Sequence, residues 1–327
     1  MVTVRKVLRK SAVLSPSSLV CLSTIPTVNL TMGCAHNCLY CYTRGYRAHP
    51  GEGKLDVYEN AFEKLREELD RKRRKPKAVY FSPASDLFQP VPEVLDIAYD
   101  MIRHLLVREI GIAFLTKGAI PKKHLSLLLA HPSLVHAQIG LITTDETVLQ
   151  IFEPNAASSD IRIAQMRQLA GAGIRTQVRL DPILPGVTDD THTFESLCQT
   201  TVTCGVNEMA ASVLFLRSMP MHRLKNAAKT TPLVARCLKA FQSAHRMAIH
   251  AERSSVIALS APEREAIFRR LEYIAGQHGL VVKRCACKNP DIATGTCSIA
   301  GDWPQRGSAV QAKLFNQTGG TGDGKGH

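Results

Sequence analysis

Residues 29–44 read NLTMGCAHNCLYCYTR. Cys34, Cys38 and Cys41 are spaced C-x3-C-x2-C, with Tyr40 just before the last thiol. Three thiols crowded into one loop ask for a metal. A disulfide would leave one thiol over and suits an oxidising compartment. Zinc completes four ligands from paired cysteine or histidine motifs, with His36 and His49 as the fourth ligands at hand. A cubane [4Fe–4S] cluster is held by cysteine thiolates. With three of them one iron stays open, which is what a metal needs if it is to bind substrate.

The surroundings place this loop in a fold. Strand-like apolar runs at 78–82, 111–116, 135–143, 174–184 and 208–216 alternate with helical patterns. The helices are expected near 92–107, after Pro121, before Gly171 and Gly173, and at 194–202. A short strand at 27–31 comes first, and Val57, Phe62, Leu65 and Leu69 mark a helix after it. About six β-α units imply a parallel sheet covered by helices, as a partial barrel or an open doubly wound sheet. No G-x-G-x-x-G follows the first strand, which counts against a dinucleotide fold. In either architecture the loops leaving the strand carboxyl ends build the site, and the cysteine loop leaves the first strand there.

The chain has 327 residues, enough for one large domain and an appendage. We expect an arm at 1–25, the barrel at 26–216, a linker at 217–232 and helices near 232–250 and 262–277. A cysteine-containing extension at 280–315 and a disordered, Gly-rich tail at 316–327 follow. Ser260 and Glu263 form a capping box, with Pro262 at the first helical position. No apolar run is long enough to span a membrane, and no apolar signal core follows the basic first residues, so a cytoplasmic location is expected. The net charge is +13, densest in RKRRKPK at 71–77. Such an excess fits a polyanion partner, and equally a solvated helix end.

The cysteine motif at the exit of the first strand resembles the radical S-adenosylmethionine (SAM) superfamily. With SPASDLFQP, FLTKG, FEPNAAS and RLDPILPGVTDD, it resembles the branch that contains spore photoproduct lyase and the DNA repair photolyase-like proteins. The matched blocks run from about 27 to 190. The resemblance implies a partial (β/α)6 TIM-type barrel with a C-terminal cysteine-containing extension. It also implies a [4Fe–4S] cluster on Cys34, Cys38 and Cys41, whose open iron binds the amino and carboxylate groups of SAM. Reductive cleavage of SAM then gives a 5′-deoxyadenosyl radical that abstracts hydrogen. Tyr40, Ser85, Asp86, Lys117, Arg179 and Asp181 are the implied cofactor contacts, and a reductant such as flavodoxin or ferredoxin is implied as a partner. The lyase carries a hydrogen-donating cysteine two residues before the matched serine. Pro83 stands there in this chain and cannot donate, so a thymine-dimer lyase mechanism of that kind is not expected.

Cys285, Cys287 and Cys297 form a second triplet, C-x-C-x9-C, after the apolar run GLVVK. We expect a second metal site there, an auxiliary iron–sulfur cluster or zinc with a fourth ligand such as His278. Lys283, Arg284 and Lys288 would favour thiolates. Cys21, Cys198, Cys204 and Cys237 read as scattered, buried apolar residues. The expected function is radical SAM chemistry on a substrate such as nucleic acid. The alternatives are radical or SAM-derived group transfer on a small molecule or peptide, and a zinc-stabilised nucleic-acid-binding module.

Overall fold

The computed structural model describes residues 2–249 and 254–304. Seven strands lie side by side in chain order, all parallel. They are β2 (Thr27–Val28), β5 (Ala78–Phe81), β6 (Gly111–Thr116), β7 (Val135–Gly140), β8 (Arg175–Ile183), β9 (Glu208–Val213) and β13 (Val281–Arg284). Helices α1 (Ala61–Arg71), α2 (Pro92–Val107), α3 (Lys122–Leu129), α4 (Glu146–Phe152), α5 (Ser159–Gly171), α6 (Thr191–Thr203), α7 (Ser218–Ala227), α8 (Pro232–Lys239) and α9 (Ala261–Gln277) complete the alternation. This is a partial TIM-type barrel, with the strand before the second cysteine triplet added as a seventh member. Two small sheets flank it. One is β1 (Thr3–Val7), β4 (Lys54–Tyr58) and β3 (Thr31–Met32); the other is β10 (Phe215–Leu216), β12 (Ser254–Ala258) and β11 (His245–Ile249).

Successive strand side chains point to opposite faces. Val79, Phe81, Ile112, Phe114, Val178 and Leu180 pack with the helices in the main core. Their neighbours Ala78, Tyr80, Ala113 and Ala210 turn to the concave face, where they meet Leu22, Ile25, the three cysteines of the second triplet, Ile299, Ala300 and Trp303. A closed barrel fills that space with layers of bulky branched side chains. Here small strand residues leave room for chain segments from both ends of the sequence. Trp303 stacks on His136 at 3.8 Å between ring centroids. Gly111 faces Trp303, and a Cβ there would lie 2.3 Å from the indole ring.

Three local expectations are corrected. Much of the expected linker at 217–232 is helix α7, because Pro220 and Leu224 find buried positions. The helix expected to reach 250 stops at Lys239; residues 245–249 are strand β11, paired antiparallel with β12, with Met247 and Ile249 buried in alternation. Val57 belongs to β4, and the helix after it starts at Ala61. The Ser260–Glu263 capping box is present. In the basic run, Lys75 donates to the Leu69 and Lys72 carbonyls and closes α1. The expected tail at 316–327, and 305–315 of the extension, lie outside the described residues. Among the described residues no helix is long and apolar enough to cross a membrane.

Candidate functional site

The first cysteine loop follows β3 through Gly33, whose φ is +88°. A Cβ at Gly33 would sit 3.0 Å from the Lys54 carbonyl, so the turn into Cys34 needs glycine. Main-chain groups of the loop are held from several sides. Gln89 accepts from Ala35 N–H (2.9 Å), Asn155 donates to the Ala35 carbonyl (3.0 Å), and Arg223 donates to the Cys38 carbonyl (2.7 Å). Leu39 N–H reaches the Phe152 carbonyl at 2.9 Å. The three thiols line one cavity of about 400 Å³ together with Ser85, Asp86, Lys117, Arg179 and Asp181. Burial, and then the Glu153 carboxylate, push the Cys38 thiol up to about 12. Lys117 and Arg162 pull it down. Thiolates there call for positive charge, which a metal supplies.

The six other predicted contacts divide by what already occupies them. Ser85 Oγ is buried without a hydrogen-bond partner. A buried hydroxyl left open at a cavity wall is a ready ligand contact. Asp86 is engaged internally: it accepts from Phe88 N–H (2.8 Å), Thr116 Oγ1 (2.7 Å) and Lys117 N–H (2.7 Å). Burial alone would raise its carboxyl, but His36 beside it and these donors hold it below its ordinary value. Lys117 Nζ donates to the Asp181 carbonyl (3.1 Å) and lies 3.7 Å from Glu153. Burial would lower its ammonium; Glu153 raises it, so the charge is kept. Tyr40 donates its hydroxyl to Glu153 and sets its ring under Lys117 Nζ, 5.3 Å from the centroid. Arg179 pairs with Asp181 at 2.9 Å, and Ser212 donates to the same carboxylate at 2.6 Å. Burial would raise Asp181, but Lys288 and Arg179 hold it well below the carboxylate range.

Glu153 was legible only as part of the FEPNAAS block, yet it ties this wall together. Its carboxylate meets Arg162 at 2.5 Å, and both side chains are 0% exposed. His36 and His49, the fourth ligands at hand in the sequence, have other partners here. His36 Nδ1 faces the Asn155 carbonyl at 3.0 Å and its Nε2 lies 3.2 Å from Asp86; His49 Nδ1 accepts from Gly51 N–H at 3.1 Å.

The second triplet sits at the carboxyl end of β13, where Cys287, Lys288 and Cys297 line the same cavity. Cys21 joins it. Its Sγ lies 3.0 Å from Cys287 Sγ, and the sulfurs of Cys21, Cys285 and Cys297 are within 4.8 Å of one another. Cys21 is therefore not a scattered apolar residue. No local pattern could have shown this, because the partners are at opposite ends of the chain. His278 is elsewhere, paired with Glu195 at 2.6 Å. Arg284 pairs with Glu272, and the cation beside Cys285 is Arg179. Lys288 stands 3.9 Å over the Tyr42 ring and 3.9 Å from Asp181.

The chain is 30% identical over 168 residues to a protein of Pseudomonas phage M6 named radical SAM Nalpha-GlyT isomerase, covering 50% of this chain and 35% of that protein. It is 25% identical over 225 residues to an uncharacterised protein of Mycobacterium bovis, covering 66% of each. The chain thus spans about a third of the phage protein and just under two thirds of the mycobacterial one. Its fold is similar to that of spore photoproduct lyase solved with a dinucleoside spore photoproduct, with a TM-score of 0.62 at 16% identity over 85% of this chain and 81% of that one. The radical SAM superfamily's sequence model matches residues 28–197, more than half of the chain. The motif, the sheet edge that carries it and this match agree: the chain belongs to the radical SAM superfamily.

Proposed function

We propose that this protein cleaves SAM reductively and carries out radical chemistry on a nucleic acid. One observation carries the reading: three thiols, the open Ser85 hydroxyl and the Lys117 ammonium share one cavity wall. The superfamily implies a [4Fe–4S] cluster and SAM, and this donor set fits both. Cys34, Cys38 and Cys41 would hold the cluster, which with SAM supplies one-electron bond cleavage and a carbon radical. Ser85 and Lys117 orient the carboxylate of SAM by charge and hydrogen bonding. Asp86 is a positioning residue, because its oxygens lock the Ser85 loop to the end of β6. Pro83 lines the cavity and offers no thiol hydrogen to a product radical.

The nucleic-acid class rests on the cavity lining. Tyr42, Tyr46 and Phe215 line it with Arg44, Arg217 and Lys288, the residue types that stack bases and hold backbone phosphates. The net charge of +13 supports it, as does the dinucleoside complex of the lyase with this fold. A radical isomerisation is the second reading, favoured by the name of the phage relative. A one-electron reductant of the flavodoxin or ferredoxin type is the implied partner. A reducing, cytoplasmic compartment suits cysteines that serve as thiolate ligands. The C-terminal cysteines hold a second metal in this reading.

The test is anaerobic. Reduced, cluster-loaded protein should form 5′-deoxyadenosine from SAM and shift single-stranded DNA or RNA, with the shift fading as salt rises. An iron-free, colourless preparation would sink the first half, and salt-independent or absent binding the second. Lys117→Ala should weaken SAM binding by about 1.5–3 kcal/mol, the range for a charged hydrogen bond, and Ser85→Ala by about 0.5–1.5 kcal/mol. Unchanged affinities on loaded protein would return both residues to purely structural roles.

A further inference from the structure

The geometry points to a closed, four-thiolate site for a single tetrahedral metal ion, zinc by chemistry, made by Cys21, Cys285, Cys287 and Cys297. This rests on the proposed second metal and not on the radical chemistry. The four thiols converge from two segments that share no local motif. Cys21 comes from a short 3-10 turn (Val20–Leu22), and the others from the loop after β13. Cys285, Cys287 and Cys297 are buried. A chance meeting of four thiols, three of them buried, inside a barrel needs a reason, since each could be replaced by a better apolar filler.

The spacing selects the metal. Zinc binds sulfur at about 2.3 Å in a tetrahedron, which puts ligand sulfurs about 3.8 Å apart. A cubane cluster is larger and holds its thiolates about 6 Å apart. The sulfurs of Cys21, Cys285 and Cys297, within 4.8 Å of one another, are too close for a cubane and suit the single ion. Cys287, 3.0 Å from Cys21, stands outside that group and completes the tetrahedron by a small side-chain shift. Among the described residues, Cys34, Cys38 and Cys41 do not form so tight a group, as a cubane requires. Arg179 beside Cys285 offsets part of the site's negative charge.

The place of the site gives its role. These cysteines belong to the cluster that fills the concave face of the sheet, together with Ala78, Ala113, Ala210 and Trp303. Four protein ligands leave no open coordination position, so the ion braces rather than binds substrate. It would join the residue-21 turn to the chain after β13 and form a floor to the cavity that the first cysteine triplet shares.

Anaerobically purified full-length protein should contain about one zinc per chain besides the irons of the first cluster. X-ray absorption at the zinc edge should show four sulfurs at about 2.3 Å. Exchange with Co(II) alone should give the thiolate charge-transfer bands of a tetrahedral sulfur site. Cys21→Ala should lose the zinc, keep the irons and change the emission of Trp303, the single tryptophan. Cys198→Ala should change none of these. The Cys34/Cys38/Cys41→Ala variant should lose iron and keep zinc, which separates this site from the radical reading. About eight irons with matching sulfide, a zinc shell of fewer than four sulfurs, full zinc retention in Cys21→Ala, or two disulfides in place of metal would each overturn the assignment. The absorption measurement uses the unaltered protein, so it stands even if Cys21→Ala does not fold.

Discussion

With Cys34, Cys38 and Cys41 all replaced by Ala, reconstituted protein should hold about four fewer irons per chain, the cubane stoichiometry, and form no 5′-deoxyadenosine from SAM. The fold should survive. The loop is held through main-chain groups by Gln89, Asn155, Arg223 and Phe152, none of which needs the thiols. Far-ultraviolet circular dichroism should therefore be nearly unchanged while activity is lost. A reduced triple variant that still makes 5′-deoxyadenosine would remove the basis of the proposed function.

Glu153→Gln should destabilise the protein by about 3–5 kcal/mol, the cost of leaving a buried charge without its partner. Arg162 is fully buried against Glu153, and Lys117 loses its nearest carboxylate as well. Anaerobic urea unfolding measures the change. A Glu153→Leu/Arg162→Met double variant should recover the part due to Arg162, because an apolar pair leaves no orphaned guanidinium, while the part due to Lys117 stays lost. The sign with pH follows. Burial would raise the Glu153 carboxyl, but Arg162 and Lys117 hold it below its ordinary value. Its contribution is complete above the ordinary carboxylate range and is lost as pH falls through the depressed folded value. Glu153→Gln should flatten that acid limb. A loss under about 1 kcal/mol, the scale of an exposed pair, would mean that water reaches the site.

What the sequence revealed follows from range. The cysteine loop, the Pro92 helix start and the GIAFLT strand are local signals, and the structure keeps them. Residues 245–249 are a short strand that pairs with 254–258, so helix propensity misled there. SPASD names a serine and an aspartate equally. Only the fold reveals that Asp86 is saturated by three donors while Ser85 is left open. Cys21 meets Cys287 across 266 residues and Glu153 meets Tyr40 across 113, and neither carried a spacing of its own.

The floor of the barrel also has a consequence for how the chain is made. Ribosomes deliver β5 and β6 long before Ile299, Ala300 and Trp303, which cover their concave side. Chains begin to fold from the N-terminal side during synthesis. The nascent sheet therefore stands open from below through most of translation, and the first cysteine loop gains its holds from Phe152, Asn155 and Arg223 only as those residues emerge. The segment that closes the concave side from below is thus among the last described parts of the chain to be made.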